Sequence, residues 1–298
     1  GCRSRRGAPM NQGRNLFRTL VLILGFAFLY IPIVSLIVYS FNSSRLVTVW
    51  GGFSTKWYGA LLHNDQILNA AFLSLKIAAI SATLAVVLGT LAGLVLARFG
   101  PFKGRTLLSG LTTAPLVMPE VITGLSLLLL FVTMEQIIGW PAGRGMTTIV
   151  ISHITLTMAF VTVVVQSRLS QMDDSLEEAA MDLGARPHKV FFLITLPIIA
   201  PALMSGWLLA FTLSLDDLVI TSFVAGPGSS TLPMVIFSKV RLGVSPDINA
   251  LATILVAIVA VGVAITGIMM ARQQQQRERD AQMALAANQQ MIESVKKG

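Results

Sequence analysis

Glu178-Ala179-Ala180-Met181-Asp182-Leu183-Gly184, followed by Ile194-Thr195-Leu196-Pro197, is the stretch from which the rest of the chain is read. It lies in the one sizeable polar loop between long apolar runs. Ser175 with Glu178 three residues on satisfies the capping-box pattern, which predicts a helix from Leu176. Leu176, Ala179, Ala180 and Leu183 then share one face, while Glu177, Glu178 and Asp182 fall on the wet side. Gly184 supplies a left-handed residue to end that helix, and Pro187 suits the first turn of the next. Two short helices at a membrane surface follow, with a small-residue ridge that suits a groove.

The surroundings of this loop are those of a membrane protein. The chain of 298 residues is 54% hydrophobic and 12% charged, with a mean hydropathy of +0.74; a soluble domain carries about twice that charge. Its net charge of +8 is dispersed among apolar runs, which argues against nucleic-acid binding. The single cysteine, Cys2, excludes an internal disulfide and a cysteine metal cluster. Met10 reads as an alternative start, which sets residues 1–9 apart, and no cleavable signal pattern follows.

Six runs reach the ~20 residues a bilayer span requires: Thr19–Ser40, Ala70–Ala97, Leu107–Val132, Thr147–Val165, Phe191–Leu215 and Ala250–Met270. Segments 1–18, 98–105, 166–190 and 271–298 hold sixteen lysines and arginines, the intervening loops hold five, and Lys76 lies within a span. The positive-inside rule therefore predicts that both termini and the Glu-Ala-Ala loop are cytoplasmic. The expected organisation is a cytoplasmic segment 1–18, a six-helix membrane domain 19–270 with a cytoplasmic loop 166–190, and a polar tail 271–298.

Three places in the spans depart from plain hydrophobicity. The first outer loop carries Trp50, Phe53, Trp57 and Tyr58, and Ser54 is placed to cap a short helix there. The third run is interrupted by Pro115 and Pro119, with Glu120 near its centre. Either the freed carbonyls line a wet cavity, or Pro119 opens a half-helix with Glu120 in its first turn. After the fifth run, Asp216 and Asp217 interrupt an apolar stretch that resumes through Val224. They read as acidic stations on a solute path, or as a pair solvated at the interface. Adjacent helical residues point about 100° apart, so one of the two faces the path and the other holds a neighbouring element.

The full pattern of the loop, E-A-A, three residues, G, nine residues, I-x-L-P, resembles the cytoplasmic loop of inner-membrane permeases of binding-protein-dependent ABC importers. Within that family, Leu116–Leu130, carrying M-P-E-V-I-T-G-L-S-L-L-L-L, and T-L-S-L-D-D with F-V-A-G-P look most like polyamine (putrescine and spermidine) permeases. The first outer loop, with S-F-N-S-S-R-L-V-T-V-W and K-W-Y, is most similar to putrescine permeases. The resemblance implies an all-α membrane protein with the six-helix type I ABC-importer permease fold, in a bacterial inner membrane. It implies that Glu178, Ala179, Ala180, Gly184, Ile194, Leu196 and Pro197 couple the chain to an ATPase, with Glu120, Asp216 and Asp217 along the substrate path. The implied partners are a second, homologous permease, two copies of a P-loop ATPase, a periplasmic polyamine-binding protein and membrane lipid.

The sequence has no G-x-x-x-x-G-K-[ST], so ATP and Mg would be held by the partner rather than by this chain. His63, His153 and His188 are far apart with no H-E-x-x-H, which argues against a metal site, and no nucleophile motif is present. The chain is thus expected to be a non-enzymatic subunit. The competing readings are an importer permease for another small solute and, from a different class, a proton-coupled carrier using Glu120 and the aspartates.

Overall fold

The computed structural model describes residues 12–45, 49–243 and 246–262, with isolated helical positions up to 276. Segment 1–9 and nearly all of the tail 271–298 lie outside the described residues. The described elements are helices: α1 Gln12–Ser40, α2 Lys56–Leu62, α3 Asp65–Arg98, α4 Arg105–Val117, α5 Glu120–Ile138, α6 Met146–Ser170, α7 Ser175–Asp182, α8 Pro187–Val190, a π-helical turn Phe191–Thr195, α9 Leu196–Asp216, α10 Val219–Val224, α11 Leu232–Leu242 and α12 Pro246–Gly262. They fall into two compact units, Asn64–Gly243 and the pair of segments Gly1–His63 and Val244–Gly298.

In the two-segment unit, α1 is apolar from Leu20 on, and its side chains are mostly bare from Phe17 to Ser35, Phe28 being 81% exposed. Such a helix belongs in hydrocarbon. The loop after it is ordered by Asn42, which is fully buried. Its Oδ1 accepts from the N–H groups of Ser44 (3.1 Å) and Gly51 (2.8 Å), and its Nδ2 donates to the Val49 carbonyl (2.8 Å). The Trp57 indole donates to the Asn42 carbonyl at 2.7 Å, tying α2 to the loop. The expected short helix is present, with Ser54 Oγ accepting from Lys56 N–H at 3.3 Å.

The unit Asn64–Gly243 is built on α3, α6 and α9. Its inner core joins Ala82 and Ala85 of α3 to Val161, Val165 and Leu169 of α6 and to Ile199 and Ala210 of α9. A second cluster joins Ile77, Phe131, Ile149, Leu156, Ile220 and Val224. Helices α3 and α6 run parallel, with Gly89 against Val161 and Gly93 against Val165. A Cβ on Gly89 would lie 2.8 Å from Val161 Cβ and Cγ1, so the approach exists because position 89 has no side chain. In lipid, where apolar burial alone does not drive helices together, such close packing does that work.

The third apolar run is two helices rather than one span. Helix α4 stops at Val117 because Pro119 forces Met118 out of the helical region, to ψ 136°. Helix α5 then opens at Glu120 and extends to Ile138, past the expected end at Val132. The fifth run begins earlier than expected, helical from Pro187 through the π turn to Asp216. Five helices among the described residues are long and apolar enough to cross a membrane; α12 is a further, shorter apolar helix of 17 residues before the described chain becomes discontinuous.

Gly89→Leu is expected to wedge α3 from α6 and cost about 1–3 kcal/mol, as overpacking does. Gly110→Leu, where a Cβ meets nothing within 4 Å, serves as control. Thermal unfolding of the purified chain in detergent should separate them, and equal midpoints would remove the seam from the account.

Candidate functional site

The polar loop folds into α7, a tight turn and α8. The start of α7 differs from the capping-box expectation: Ser175 is its first residue, and Asp173 Oδ1 accepts the Ser175 N–H at 3.0 Å. That backbone bond, followed by the Ser175 side chain, holds the Asp173 carboxyl below its usual pKa range. Asp173 takes the Ser175 N–H and the Asp174 carbonyl takes the Glu178 N–H (3.1 Å), so the Ser175–Glu178 box is not made. The end follows the expectation. Gly184 has φ +84°, the Ala185 N–H donates to the Ala180 carbonyl (3.1 Å), and the Gly184 N–H donates to Met181 (2.9 Å). This is a Schellman ending, and it requires the left-handed residue. Pro187 opens α8 as expected.

Glu178, Ala179 and Gly184 are exposed and Ala180 is half-buried. Leu176 and Leu183 are bare, Leu183 being 90% exposed, so the ridge presents apolar surface outward. Glu177 corrects the sequence reading. It is turned inward rather than to the wet side, with its side chain 16% exposed. Its Oε1 accepts from Thr195 Oγ1 at 2.6 Å, and its Oε2 lies 3.2 Å from Arg98 Nε. Arg98, the last residue of α3, also pairs with Asp174. Ile194 and Leu196 are half-buried around Thr195 and Pro197 is exposed. Pro197 has no N–H, and the preceding turn widens so that the Leu196 N–H reaches the Phe191 carbonyl, i to i−5.

The two adjacent aspartates part company. Helix α9 ends at Asp216, which is exposed, whereas Asp217 is 8% exposed. Asp217 accepts from the N–H groups of Ile220 (3.3 Å) and Thr221 (2.7 Å) and from Thr221 Oγ1 (2.7 Å), so it caps α10. His153 of α6 completes the cluster: Nε2 lies 3.2 Å from Asp217 Oδ2 and 2.9 Å from Thr221 Oγ1, and Nδ1 lies 2.6 Å from Ser214 Oγ. With the ring proton on Nε2, every donor in the cluster has an acceptor. Ser81 of α3 donates to the Val150 carbonyl. Counting along the parallel helices from the Gly93–Val165 pair at ~1.5 Å per residue puts His153 about 25 Å from the level of Arg98, within the ~30 Å thickness of a hydrocarbon core.

Glu120 is exposed in the first turn of α5. One turn on, a Cβ at Gly124 would lie 2.7 Å from the Phe223 ring and 3.3 Å from Ile220 Cα, so the starts of α5 and α10 lie side by side. The structure thus brings together two helix breaks, each with a carboxylate beside it.

Residues 85–279 match the family model described as the binding-protein-dependent transport system inner membrane component. The chain belongs to that family. It is 60% identical over 271 residues to the putrescine transport system permease protein PotI of Escherichia coli (strain K12), covering 91% of this chain and 96% of that protein. The spermidine/putrescine transport system permease protein PotC of the same organism is 45% identical over 233 residues, 78% of this chain and 86% of its own. The fold matches a chain of a bacterial ABC transporter involved in the import of the acidic polysaccharide alginate. The TM-score is 0.69 at 15% identity, over 89% of this chain and 99% of that one.

As an ABC-transporter permease of this family, the chain is a multi-pass inner-membrane component, and its type is a non-enzymatic subunit. The sequence reading reached the polar loop and the aspartates and missed Arg98, Glu177, Thr195 and His153. Arg98 was legible only as a positive charge at a span end. The separate roles of the aspartates lead to an expected difference. Asp217→Asn should cost about 1–3 kcal/mol through its buried partners, whereas Asp216→Asn should leave the unfolding midpoint unchanged. Differential scanning fluorimetry of both variants checks this, and equal shifts would contradict the assignment.

Proposed function

We propose that this permease is the membrane subunit of an ATP-driven importer of a polyamine, putrescine foremost, working by alternating access. The observation that carries this reading is the 60% identity, over 91% of the chain, to a protein named as a putrescine transport system permease. Four features support it: two helix starts meeting within the span, Glu120 exposed at one, Asp216 exposed beside the other, and an exposed Glu-Ala-Ala helix. An ammonium group offsets the cost of carboxylates at depth. Asp217, occupied by its own hydrogen bonds, serves the α10 start; Asp216 and Glu120 are the stations a cation meets.

The remaining parts follow the sixteen-to-five charge asymmetry and the family's architecture. Six spans put both termini and α7 in the cytoplasm. Glu178, Ala179, Ala180 and Gly184 dock on one of two P-loop ATPases that hold ATP and Mg, with Ile194, Leu196 and Pro197 receiving the motion. A homologous permease completes the pathway, and a periplasmic binding protein delivers the solute. A proton-coupled carrier has no use for a helix whose apolar ridge is left bare, and an importer of a neutral solute has none for the two carboxylates.

The test is putrescine uptake in cells whose own polyamine importers are deleted. Asp216→Asn and Glu120→Gln should each lower uptake by about tenfold, the weight of one contact to a charged group, with the complex still assembled. Wild-type uptake by the double variant would remove the carboxylates from the path. Gly184→Val puts a β-branched residue at φ +84°, a cost of ~1–3 kcal/mol. It should abolish uptake by displacing Leu183 and Glu178; normal uptake at normal expression would refute the docking role. A reporter fused after Lys189 should read cytoplasm, and a periplasmic signal there would overturn the topology.

A further inference from the structure

We propose that Glu177, Arg98 and Thr195 form the joint through which motion of α7 is delivered to two membrane helices at once. The proposal rests on the importer reading above. Glu177 divides its two oxygens between two elements. Oε1 takes the hydroxyl of Thr195, at the end of the π turn that leads into α9, and Oε2 faces the guanidinium at the end of α3. Thr195 is 2% exposed, and the Arg98 and Glu177 side chains are 15% and 16% exposed. In a desolvated setting the Thr195 hydrogen bond is stiff and directional, and the Arg98 ion pair holds the other oxygen by charge.

The joint lies on the reverse of the face offered to the ATPase. Glu178 is exposed and Glu177 is not, although they are neighbours; on a helix they point about 100° apart. A partner that moves the outer face therefore moves the inner glutamate with it. Of the two helices it holds, α3 and α9 are both walls of the inner core, packed on α6. The α9 connection runs through a π turn, where the i to i−5 ladder has slack that an α-helix lacks. Arg98 Nε and Nη2 are both buried with no hydrogen-bond partner among the described residues, so Nε meets Glu177 as an ion pair without hydrogen-bond geometry. The guanidinium fork therefore has a donor in reserve for a second arrangement of the carboxylates.

A stabilising role alone accounts poorly for these residues. Ion pairs out of water gain little net stability over well-packed apolar groups, and their best-attested use is to fix register. Here the register is that of α7 against α3 and the π turn. The pair Arg98–Asp174 adds to it from the residue that precedes α7.

The experiment uses the full complex in proteoliposomes, with a cysteine reporter at the exposed Phe192 in a Cys2→Ser background. Two quantities are read: the change in maleimide reactivity of Phe192→Cys on adding a non-hydrolysable ATP analogue, and solute transported per ATP hydrolysed. Thr195→Val, which keeps the shape and removes the hydroxyl, and Glu177→Gln should both erase the nucleotide-dependent change. Both should also lower transport per ATP by about tenfold, the weight of one hydrogen bond to a charged group. Thr195→Ser, which restores the donor, should behave as wild type. The joint is overturned if the reporter still responds in Thr195→Val and Glu177→Gln, or if transport and hydrolysis fall in proportion. Release of the ATPase by Glu177→Gln would also overturn it, since Glu177 would then belong to the docking face. A wild-type complex that carries a solute other than a polyamine would change the importer reading alone, because the reporter follows motion and not cargo.

Discussion

Two breaks in the apolar helices, Met118–Pro119 before α5 and Asp217–Leu218 before α10, set the terms for the rest of this permease. Hydrocarbon offers no partner to the N–H groups that open a helix, so each restart must bring its own. At α5 the solution is local: Pro119 has no N–H to satisfy, and its carbonyl accepts from Ile122 (3.0 Å) and Thr123 (3.1 Å). At α10 the solution is a charge. Asp217 accepts the N–H groups of Ile220 and Thr221, and the cost of burying a carboxylate is met by Thr221 and by His153 reaching from another helix. The second solution ties α6, α9 and α10 together, since His153 also pairs with Ser214.

The packing of the helices has the complementary logic. Where α3 and α6 approach through Gly89 and Gly93, the seam is small, apolar and depends on backbone proximity. Ionisable side chains lie toward the ends of that seam, His153 toward one and Arg98 toward the other, while Thr157 and Thr162 along it donate to carbonyls of their own helix. At the Arg98 end, Arg105 donates to the carbonyls of Leu96 (2.9 Å) and Gly100 (2.8 Å), closing the last turn of α3. Arg98 is thereby left to its carboxylates instead of its own helix end.

What was legible in the sequence followed from distance along the chain. A span announces itself by length and hydropathy, and Pro119, Gly184 and Pro187 act on their immediate neighbours, so those readings needed no third dimension. The half-helix beginning at Glu120 was one of two readings left open, and the backbone chose it. The partnership of Asp217 with His153 joins residues on different helices, and neither carries a local signature of the other. Glu177 was misread for a related reason. In a helix of eight residues, polarity alone sends every charge to water, and only the arrival of Arg98 from α3 makes an inward glutamate tolerable.

The fates of neighbouring acidic residues then become one argument, made twice. Glu177 and Asp217 are each held in place, Glu177 by the Thr195 hydroxyl and the Arg98 charge and Asp217 by its hydrogen bonds, while Glu178 and Asp216 stand exposed beside them. A carboxylate with satisfied lone pairs holds backbone in place and has little left for a visitor; one without them can meet a mobile cation or a partner's basic group. A path that must attract without trapping calls for the second kind, held still by the first. Fixing Asp217 fixes the backbone of Asp216, and fixing Glu177 fixes that of Glu178. In each pair the buried acid spends its charge on position, so that its neighbour presents a charge at a defined place without having to build that place itself.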